Sequence, residues 1–528
     1  MNFKKWGILV SVLLLTFVLA ACSNKDGEKE EGSNDKSGGT EQKQYKDTLN
    51  IAVTAQPPGL DSSLTVSTVA LGISLNIFEQ LYTLNASYEP TPMLAESVEQ
   101  SEDGLTYTFK LREGVKFHNG KEMTAEDVEA SMNRWLATSS RAKVLLEGAK
   151  FETVDKYNVK LTVAKPTSDV MILISSRAQY ASIMPKEIVE AAPADGIKEF
   201  VGTGPYEFKE WKQDQYIHLV KNEDYQGVDG EPSGYAGRKE APTANLYYHF
   251  VTDHSTRIAG IQTGKYDIAD SIPIENYDQL DADKNIQLST FPGGALTAFL
   301  NTNEGLLANQ KYREAILAAL NNEEIMLASF AKPELYSLAP SYLNENQVQW
   351  SNDAGKDYYN QANPEKAKKL LEEAGYKGEE ITLLTTKDYA EMYAATLVIQ
   401  EQLRQIGMNV KVDSYDFPTF LETKNDSSKW DLFVASTGYQ STPPQILAVT
   451  PDWAGLNNDQ VKNSLTAIRS AATPEDAKKE WAKLQGFLYE FGSSTVIGHY
   501  NEVVATTNKI EDYEQFETSV VWNVKVSE

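Results

Sequence analysis

Alternation of apolar and polar residues marks the first strands of the chain. Apolar side chains occupy every second position over residues 49–53, and the turn-forming residues 56–59 follow them. The same alternation recurs over residues 105–111, and a shorter version occupies 410–412. Each of these stretches predicts a strand with one buried face.

Helix starts are marked by capping residues and by proline. Residues 124–127 have the pattern of a capping box, and an apolar stripe at helical spacing follows over 128–136. Proline stands at the first helical position after Asn363 and again after Thr473. A long helical pattern over 389–406 ends before a glycine. Helices and strands alternate through the second half of the chain, which predicts an α/β layer.

The amino terminus has the pattern of a secretory signal. Lys4 and Lys5 precede an uncharged apolar run over residues 6–21, which ends in small residues before Cys22. A membrane-spanning helix needs about 20 apolar residues, so the shorter run predicts a signal peptide over 1–21. A cysteine at the first mature position is similar to the lipobox of bacterial lipoproteins, in which the thiol is lipidated. We expect Cys22 to carry this lipid; the alternative is a free cysteine after an uncleaved anchor.

The residues after this cysteine predict a disordered tether over 22–47. Ser, Gly, Asn, Lys and Glu dominate the stretch, and Tyr45 is its only large apolar residue. Such a segment cannot bury enough surface to offset the entropy lost on ordering. We therefore expect a lipidated, flexible stalk that leads to a globular part beginning at residue 48.

Charge and cysteine content exclude several classes of function. The 528 residues include 49 basic and 75 acidic side chains, for a net charge of −26. Nucleic acid is excluded as a partner because a polyanion needs a basic surface. The lipid is the only membrane attachment that we expect. A single cysteine excludes an internal disulfide and any site built from several cysteines.

Sequence motifs for catalysis are missing. The chain has no G-x-S-x-G, H-E-x-x-H or G-x-G-x-x-G, and residues 260–265 only imitate a phosphate-binding loop. The five histidines show no spacing typical of a metal site. We therefore expect no enzyme, no cofactor and no metal. The many acidic residues still leave a hydrolase with two carboxylates open as an alternative.

One long run carries a specific family resemblance. Residues 95–130, AESVEQSEDGLTYTFKLREGVKFHNGKEMTAEDVEA, closely resemble the signature of the family 5 extracellular solute-binding proteins. These are the oligopeptide, dipeptide, glutathione and nickel receptors of ABC importers. Shorter matches follow in the family's order at residues 202–206, 257–268, 299–316, 364–376 and 429–432.

The resemblance implies an α/β fold of the periplasmic-binding-protein type (type II), with two lobes and an extra subdomain on the first. The two lobes are joined by two crossing segments, which we expect at residues 292–294 and 496–498. Gly293, Gly294 and Gly498 suit a hinge there. The predicted parts are the lobe I core over 48–92, 202–288 and 498–528, the lobe I subdomain over 93–201, and lobe II over 289–497.

The mechanism that the resemblance implies is capture by closure, without chemistry. A solute that contacts both lobes favours the closed state, because only a difference in affinity shifts a conformational population. The closed receptor then delivers its ligand to the permease subunits of an ABC transporter. We expect a monomer that acts outside the cytoplasm.

The ligand is less clearly indicated. In peptide-binding members, the loop equivalent to residues 437–444 carries an aspartate that pairs with the α-ammonium group of the peptide. Here Tyr439 stands for the usual tryptophan, and the aspartate position falls on Thr442, which is neutral. Asp270, after a predicted strand, is either a substitute carboxylate or a surface acid. Further candidates by position are Thr65, Thr68, Leu296, Phe299, Phe417, Gln440 and Lys424, the last being either a contact for an anionic group or a solvated lysine.

Three hypotheses follow. The first is an uptake receptor for a peptide or peptide-like solute. The second is a receptor of the same fold for a ligand without an α-ammonium group, such as an opine, a sugar conjugate or a metal chelate. The third is a membrane-anchored hydrolase.

Overall fold

The structure is a computed structural model that describes residues 44–65, 67–168, 170–450, 456, 458–471 and 473–528. The predicted signal peptide over 1–21, the lipidation site Cys22 and the predicted tether up to residue 43 lie outside the described residues.

Strands occur along the whole described chain and are numbered in chain order. They are β1 (Thr48–Val53), β2 (Tyr82–Leu84), β3 (Pro90–Pro92), β4 (Ala95–Gln100), β5 (Thr106–Leu111), β6 (Lys150–Asp155), β7 (Asn158–Thr162), β8 (Tyr206–Lys212), β9 (Tyr216–Lys221), β10 (Asn245–Phe250), β11 (Ile268–Ala269), β12 (Ile286–Leu300), β13 (Tyr336–Ser337), β14 (Glu380–Thr386), β15 (Asn409–Tyr415), β16 (Leu432–Gly438), β17 (Ser494–Thr507), β18 (Ile510–Glu511), β19 (Glu514–Gln515), β20 (Ser519–Val520) and β21 (Lys525–Val526).

The α-helices of the described residues are likewise numbered in chain order. They are α1 (Thr68–Ser74), α2 (Ala125–Thr138), α3 (Ser140–Leu145), α4 (Val170–Ser175), α5 (Lys186–Ala191), α6 (His254–Gln262), α7 (Tyr277–Asp281), α8 (Gln310–Ala319), α9 (Asn322–Phe330), α10 (Pro364–Ala374), α11 (Ala390–Gln405), α12 (Phe417–Lys424), α13 (Asp459–Arg469) and α14 (Pro474–Phe491).

One mixed sheet extends through both predicted lobes. Its order is β15-β14-β16-β12-β17-β11-β1-β10-β9-β8, and β13 pairs with β17 beside this path. Strand β1 is parallel to both of its neighbours, and β14 is parallel to β15 and β16. The two strands at the centre, β12 and β17, are antiparallel along almost their whole length.

These central strands run through both predicted lobes. The first half of β12 lies beside the lobe I part of β17, and its second half pairs with β16 of lobe II. The pairing register of β12 and β17 shifts between Pro292 and Gly294, and again between Leu296 and Thr297. Such irregularities bend a strand locally. They lie at the positions where the sequence predicts the two crossings.

The subdomain has a sheet of its own. Strands β4, β5, β7 and β6 form an antiparallel four-stranded sheet in that order. Helix α2 lies against it, and Phe109, Phe151 and Trp135 are buried between them. This layer of helix on sheet gives the subdomain a hydrophobic cluster separate from that of the lobe I core.

The local signals in the sequence predicted several elements correctly. The Asp127 carboxylate accepts a hydrogen bond from the Thr124 backbone N–H at 3.0 Å, which closes the capping box at the start of α2. Helix α10 begins at Pro364, with the side chain of Asn363 as its cap. It ends before Gly375, whose φ of 80° is the left-handed conformation that glycine adopts easily.

Buried apolar side chains of the two lobes form further clusters. One surrounds Trp522 in the lobe I core. The largest fills lobe II around Trp481 and continues along the crossing strands to Ile258 in lobe I. The crossing strands are therefore packed into a continuous core on one face.

The end of the predicted tether is ordered against lobe I. The sequence placed the flexible segment up to residue 47, but Tyr45 forms a β-bridge with Ser527. The backbone N–H of Lys46 donates to Val526 O at 2.8 Å, and its ammonium group pairs with Asp267 at 2.9 Å. The carboxyl-terminal strand thus supplies backbone partners that composition alone does not reveal.

The helices of the described residues differ in length and in apolar character. None of them is long and apolar enough to cross a bilayer.

Candidate ligand-binding site

One cavity, of about 450 Å³, lies where the two lobes meet the crossing strands. We call it the main cavity because residues of both lobes line it. Lobe I contributes Thr68 and Arg177 to its wall, the crossing strands contribute Gly293 and Tyr500, and lobe II contributes Tyr439. A concave site with walls from both lobes is the expected place for a ligand.

A second cavity, of about 880 Å³, adjoins the main cavity on the lobe II side. Ser271, Tyr500 and Glu502 line both cavities, so the two share a boundary. Together they form one continuous cleft.

The second cavity has aromatic walls. Phe417 packs edge-on against Tyr389, with ring centroids 4.7 Å apart, and Phe330 stacks on Tyr500 at 5.1 Å. The ammonium group of Lys332, on its rim, is already paired with Asp278 at 2.5 Å. Glu275, Glu391 and Glu502 also line this compartment, so it combines aromatic walls with acidic groups.

Four of the residues predicted from sequence line the main cavity, namely Thr68, Asp270, Gly293 and Tyr439. Phe417 lines the second cavity. A small cavity of about 20 Å³ is bordered by Gly294, Phe299 and Gln440.

The other predicted residues lie in neither the main nor the second cavity. Leu296 is fully buried in β12. Thr65 accepts a hydrogen bond from the Ser67 backbone N–H at 3.0 Å, at the start of α1. Lys424, the last residue of α12, is 6% exposed. At Gly498, an added Cβ would lie 2.9 Å from the side chain of Met326.

Thr442, the position expected to carry the amine-binding group, is completely buried. It precedes a short 3-10 turn over Pro443–Gln445. Its hydroxyl has no hydrogen-bond partner among the described residues. The same loop instead presents Gly438 and Tyr439 to the main cavity, where Tyr439 stacks on Tyr88 of lobe I with centroids 4.8 Å apart.

The main cavity contains charges of both signs. Arg177 Nε donates to the Glu517 carboxylate at 3.1 Å, and both side chains are mostly buried. Arg141 lies nearby and donates from Nη1 to the Ala178 carbonyl at 3.3 Å. Asp270 and Glu502 complete the set.

Two of the three carboxylates that line the cavity, Asp270 and Glu502, are held in an environment that disfavours their charge. Burial raises the pKa of Asp270 to about 6, with a further rise from Glu502, against a hydrogen bond from Ser519 that lowers it. The surrounding protein also raises the pKa of Glu502, although this residue is exposed within the cleft, and the positive charge of Arg177 partly offsets that effect.

Arg177, Glu502, Glu517 and Arg141 did not figure among the residues predicted from sequence. A signal existed for two of them. Arg177 follows the buried apolar helix α4, and Glu502 is the single acid within the largely buried strand β17. A charge in such a setting is unusual unless it has a partner or a role.

The lobes touch directly beside this cleft. The hydroxyl groups of Ser176 and Ser441 are 3.3 Å apart. The Ser168 backbone N–H donates to the Arg469 carbonyl at 2.9 Å, and the Arg469 guanidinium donates to the Leu145 carbonyl at 3.1 Å. These polar contacts join the lobe I subdomain to lobe II.

The described residues were also considered as metal ligands, and they form no metal centre. Within residues 44–528, leaving aside the few that the structure does not describe, no group of three His, Cys, Asp or Glu side chains could hold a metal ion.

Comparisons with known proteins agree on one family. The profile of the bacterial extracellular solute-binding proteins, family 5 Middle, matches residues 89–451. A probable peptide ABC transporter periplasmic-binding protein, y4tO, of Sinorhizobium fredii is 26% identical over 387 residues, which is 71% of this chain and 72% of that protein. The glutathione-binding protein GsiB of Salmonella paratyphi A is 27% identical over 464 residues, 83% of this chain and 86% of that one.

Solved structures give the same result for the fold. The ABC transporter substrate-binding protein CtaP of Listeria monocytogenes superimposes with a TM-score of 0.79 at 22% identity, over 92% of this chain and 100% of that one. The predicted two-lobed α/β binding-protein fold is thereby confirmed.

Proposed function

The chain belongs to family 5 of the bacterial extracellular solute-binding proteins, and from this premise we propose that it captures a peptide or peptide-like solute and delivers it to an ABC importer. Members of the family bind solutes and do not convert them. Family membership therefore excludes the third hypothesis, an anchored hydrolase, and places the protein outside the cytoplasm.

The observation that carries the proposal is the shared wall of the main cavity. Residues of lobe I, lobe II and both crossing strands meet around it, so a ligand in the cavity contacts both lobes at once. Such a ligand stabilises the closed arrangement over the open one, because most of its contacts exist only when the lobes are together.

Lobe closure about the crossing strands is the second part of the proposal. The register shifts next to Gly293 and Leu296 give β12 and β17 irregular backbone where the lobes join. The polar contact between Ser176 and Ser441 is of the kind that forms late in closure, since each residue belongs to a different lobe. The closed receptor is then the form that the permease subunits recognise, and we expect it to act as a monomer.

Lipid anchoring on Cys22 is the third part. The sequence before Cys22 has the form of a lipoprotein signal peptide, and the polar residues after it supply a stalk. Because Tyr45 and Lys46 contact the carboxyl-terminal strand, the stalk joins the protein at lobe I. Lobe II is then free to move relative to the membrane anchor.

The class of ligand has two candidates within this role. Similarity to y4tO and GsiB, named as peptide- and glutathione-binding proteins, favours a peptide-like solute. The buried position of Thr442 favours the alternative, a non-peptide ligand such as an opine, a sugar conjugate or a metal chelate, because the loop offers no carboxylate to a peptide amine.

A thermal-shift screen of the purified protein tests the receptor proposal. Short peptides, opines, sugar conjugates and metal chelates are compared, and we expect at least one peptide or peptide-like compound to raise the melting temperature, as any ligand that binds only the folded state does. Hits are followed by chromatography for turnover. No hit in any class, or conversion of a hit into product, would contradict the proposal.

A further inference from the structure

The charges of the main cavity are arranged as two opposite halves. Arg177 and Arg141 belong to the predicted lobe I subdomain, and Glu517 pairs with Arg177. Asp270 follows the end of β11, and Glu502 lies within the neighbouring strand β17. Each half contains a polar group for which the described residues supply no full set of hydrogen-bond or ion-pair partners.

Arg177 has unused hydrogen-bonding capacity. Its Nε is satisfied by Glu517, but its Nη1 is buried and has no hydrogen-bond partner among the described residues. Leaving such a donor unpaired in a protein interior is destabilising. A guanidinium group offers parallel N–H donors that match a carboxylate. A hydrogen-bond acceptor on the ligand, such as a carboxylate, would therefore satisfy the Nη1 donor of Arg177.

Asp270 and Glu502 share one face of the sheet. Strand β11 pairs with β17, with Ala269 opposite Ala505, and beyond the strand the Ile272 N–H donates to the Val503 carbonyl at 2.9 Å. In this register Glu502 is a diagonal neighbour of Asp270, which places the two side chains roughly 7 Å apart on the same face.

The protein provides little to neutralise these two carboxylates. Asp270 accepts a hydrogen bond from Ser519 at 3.0 Å, and Glu502 has no hydrogen bond or ion pair in the part of the chain that the structure describes. The guanidinium of Arg257 is bonded to the carbonyl groups of Val251 and Ser271. A cationic group from the ligand would fit between the carboxylates.

The two halves are close enough to serve one ligand group. Burial raises the pKa of Glu502, and the positive charge of Arg177 partly offsets that rise. Both line one cavity of about 450 Å³. An ammonium and a carboxylate on the same carbon atom therefore match the cavity better than two charges at opposite ends of an extended chain.

We propose that this cavity binds a zwitterionic α-amino-acid end of the ligand, with the carboxylate on Arg177 and the ammonium group between Asp270 and Glu502. This inference rests on the receptor function proposed above and specifies its substrate class. Solutes of the class include γ-linked peptides and amino acids substituted on nitrogen. Ordinary α-peptides, whose terminal ammonium and carboxylate lie on different residues, bind less well.

Isomeric peptides test the inference directly. A library of γ-Glu-Xaa dipeptides, the matching α-Glu-Xaa library and the N-acetylated γ-linked library are titrated into the purified protein by calorimetry. The γ- and α-linked isomers have the same composition and net charge and differ in which carboxylate is free. The best γ-linked member should bind at least about tenfold more tightly than its α-linked isomer, and acetylation should abolish its binding.

Variants assign the effect to the proposed residues. E502Q and R177K should each lower the affinity for that γ-linked peptide about tenfold or more. E502Q removes the negative charge that binds the ammonium group, and R177K removes the planar guanidinium whose parallel N–H groups bind the carboxylate. E102Q, at an exposed acid remote from the cavity, is the control and should bind as the wild type does. Glu502 is exposed, so folding of E502Q is not at risk.

Different failures lead to different conclusions. Equal or tighter binding of α-linked isomers, unchanged affinity in E502Q, or no binding of any γ-linked member beside hits of other classes overturns the inference and leaves the receptor function intact. The absence of binding by every compound, including those of the thermal-shift screen, overturns the receptor function and this inference with it.

Discussion

At the scale of single residues, Thr442 lies in the protein interior, although its position in the sequence suggests a ligand contact. The residue occupies the loop position at which peptide-binding members carry an acidic group, yet its side chain is fully buried and its hydroxyl is unpaired within the described chain. The cleft-facing member of the loop is Tyr439, which stacks on Tyr88. The structure therefore gives Thr442 a buried position, whereas the family resemblance implies a ligand contact there.

Substitutions of Thr442 should affect stability. T442V replaces an unpaired buried hydroxyl with a methyl group of similar size and should raise the free energy of unfolding by about 1 kcal/mol. T442D places an unpaired carboxylate in the interior and should lower it by about 3 kcal/mol or more, without creating affinity for free-amine peptides. Urea unfolding measures both. A stable T442D protein that gains peptide binding would show that the loop does serve as the amine site.

Asp270 should give the protein a pH dependence. Its pKa in the folded state is raised to about 6 from 3.8, mainly by burial, so the folded state holds this proton more tightly than the unfolded state. The stability contributed by the protonated group is full below about pH 4 and is lost as the pH rises through about 6. Glu502 adds to this shift, and Ser519 and Arg257 oppose it.

The variant D270N isolates this contribution. Relative to the wild type, D270N should become progressively more stable as the pH rises from 4 to 7, because only the wild type must deprotonate a buried carboxyl. Urea unfolding at several pH values measures the difference. A constant difference between the two proteins across this range would contradict the assignment.

The sequence identified some of these residues and missed others for a physical reason. Asp270 and Tyr439 were found because each follows a recognisable strand or loop. Arg177 and Glu502 were missed because their role depends on neighbours that are distant in sequence. Only the pairing of β11 with β17 brings Glu502 beside Asp270, and no local pattern determines that pairing.

At the scale of elements, local chemistry predicted helix ends and strand faces well. The cap at Asn363, the proline at Pro364 and the left-handed glycine at Gly375 define α10 within the helix itself. The order of strands in the large sheet was not predictable in this way, because it depends on contacts between distant segments. The ordered end of the predicted tether has the same origin, since its partners belong to the last strand.

Gly294 is the glycine of β12 that the structure most clearly requires. Its φ is 157°, and a Cβ added there would overlap the Thr437 carbonyl oxygen of β16. G294A should therefore lower the free energy of unfolding by about 1–3 kcal/mol and weaken ligand binding by disturbing the strand that joins the lobes. G59A is the matched control, because an added Cβ there meets no atom within 4 Å. Equal stability of the two variants in urea would contradict this role.

At the scale of the whole molecule, the fold has a continuous apolar core and a cleft made of two adjoining cavities. The largest apolar cluster runs along one face of the crossing strands from lobe II into lobe I. The main and second cavities lie where the predicted lobes approach each other. The contacts between the lobes there include the stacking of Tyr439 on Tyr88 as well as polar contacts at Ser176 and Arg469. We propose that the lobes open and close at these contacts while the core along the crossing strands stays packed.

Ligand-dependent closure is the central claim, and crosslinking across the cleft tests it most directly. In a C22S background, which removes the only native cysteine, S176C and S441C replace hydroxyl groups 3.3 Å apart on opposite lobes. The control pair S62C and S182C replaces hydroxyl groups 2.6 Å apart within the predicted lobe I. The rate of disulfide formation under mild oxidation is measured with and without the best ligand of the screen. We predict that the ligand accelerates crosslinking of the first pair several-fold and leaves the control unchanged, whereas equal rates for the first pair with and without ligand would contradict capture by closure.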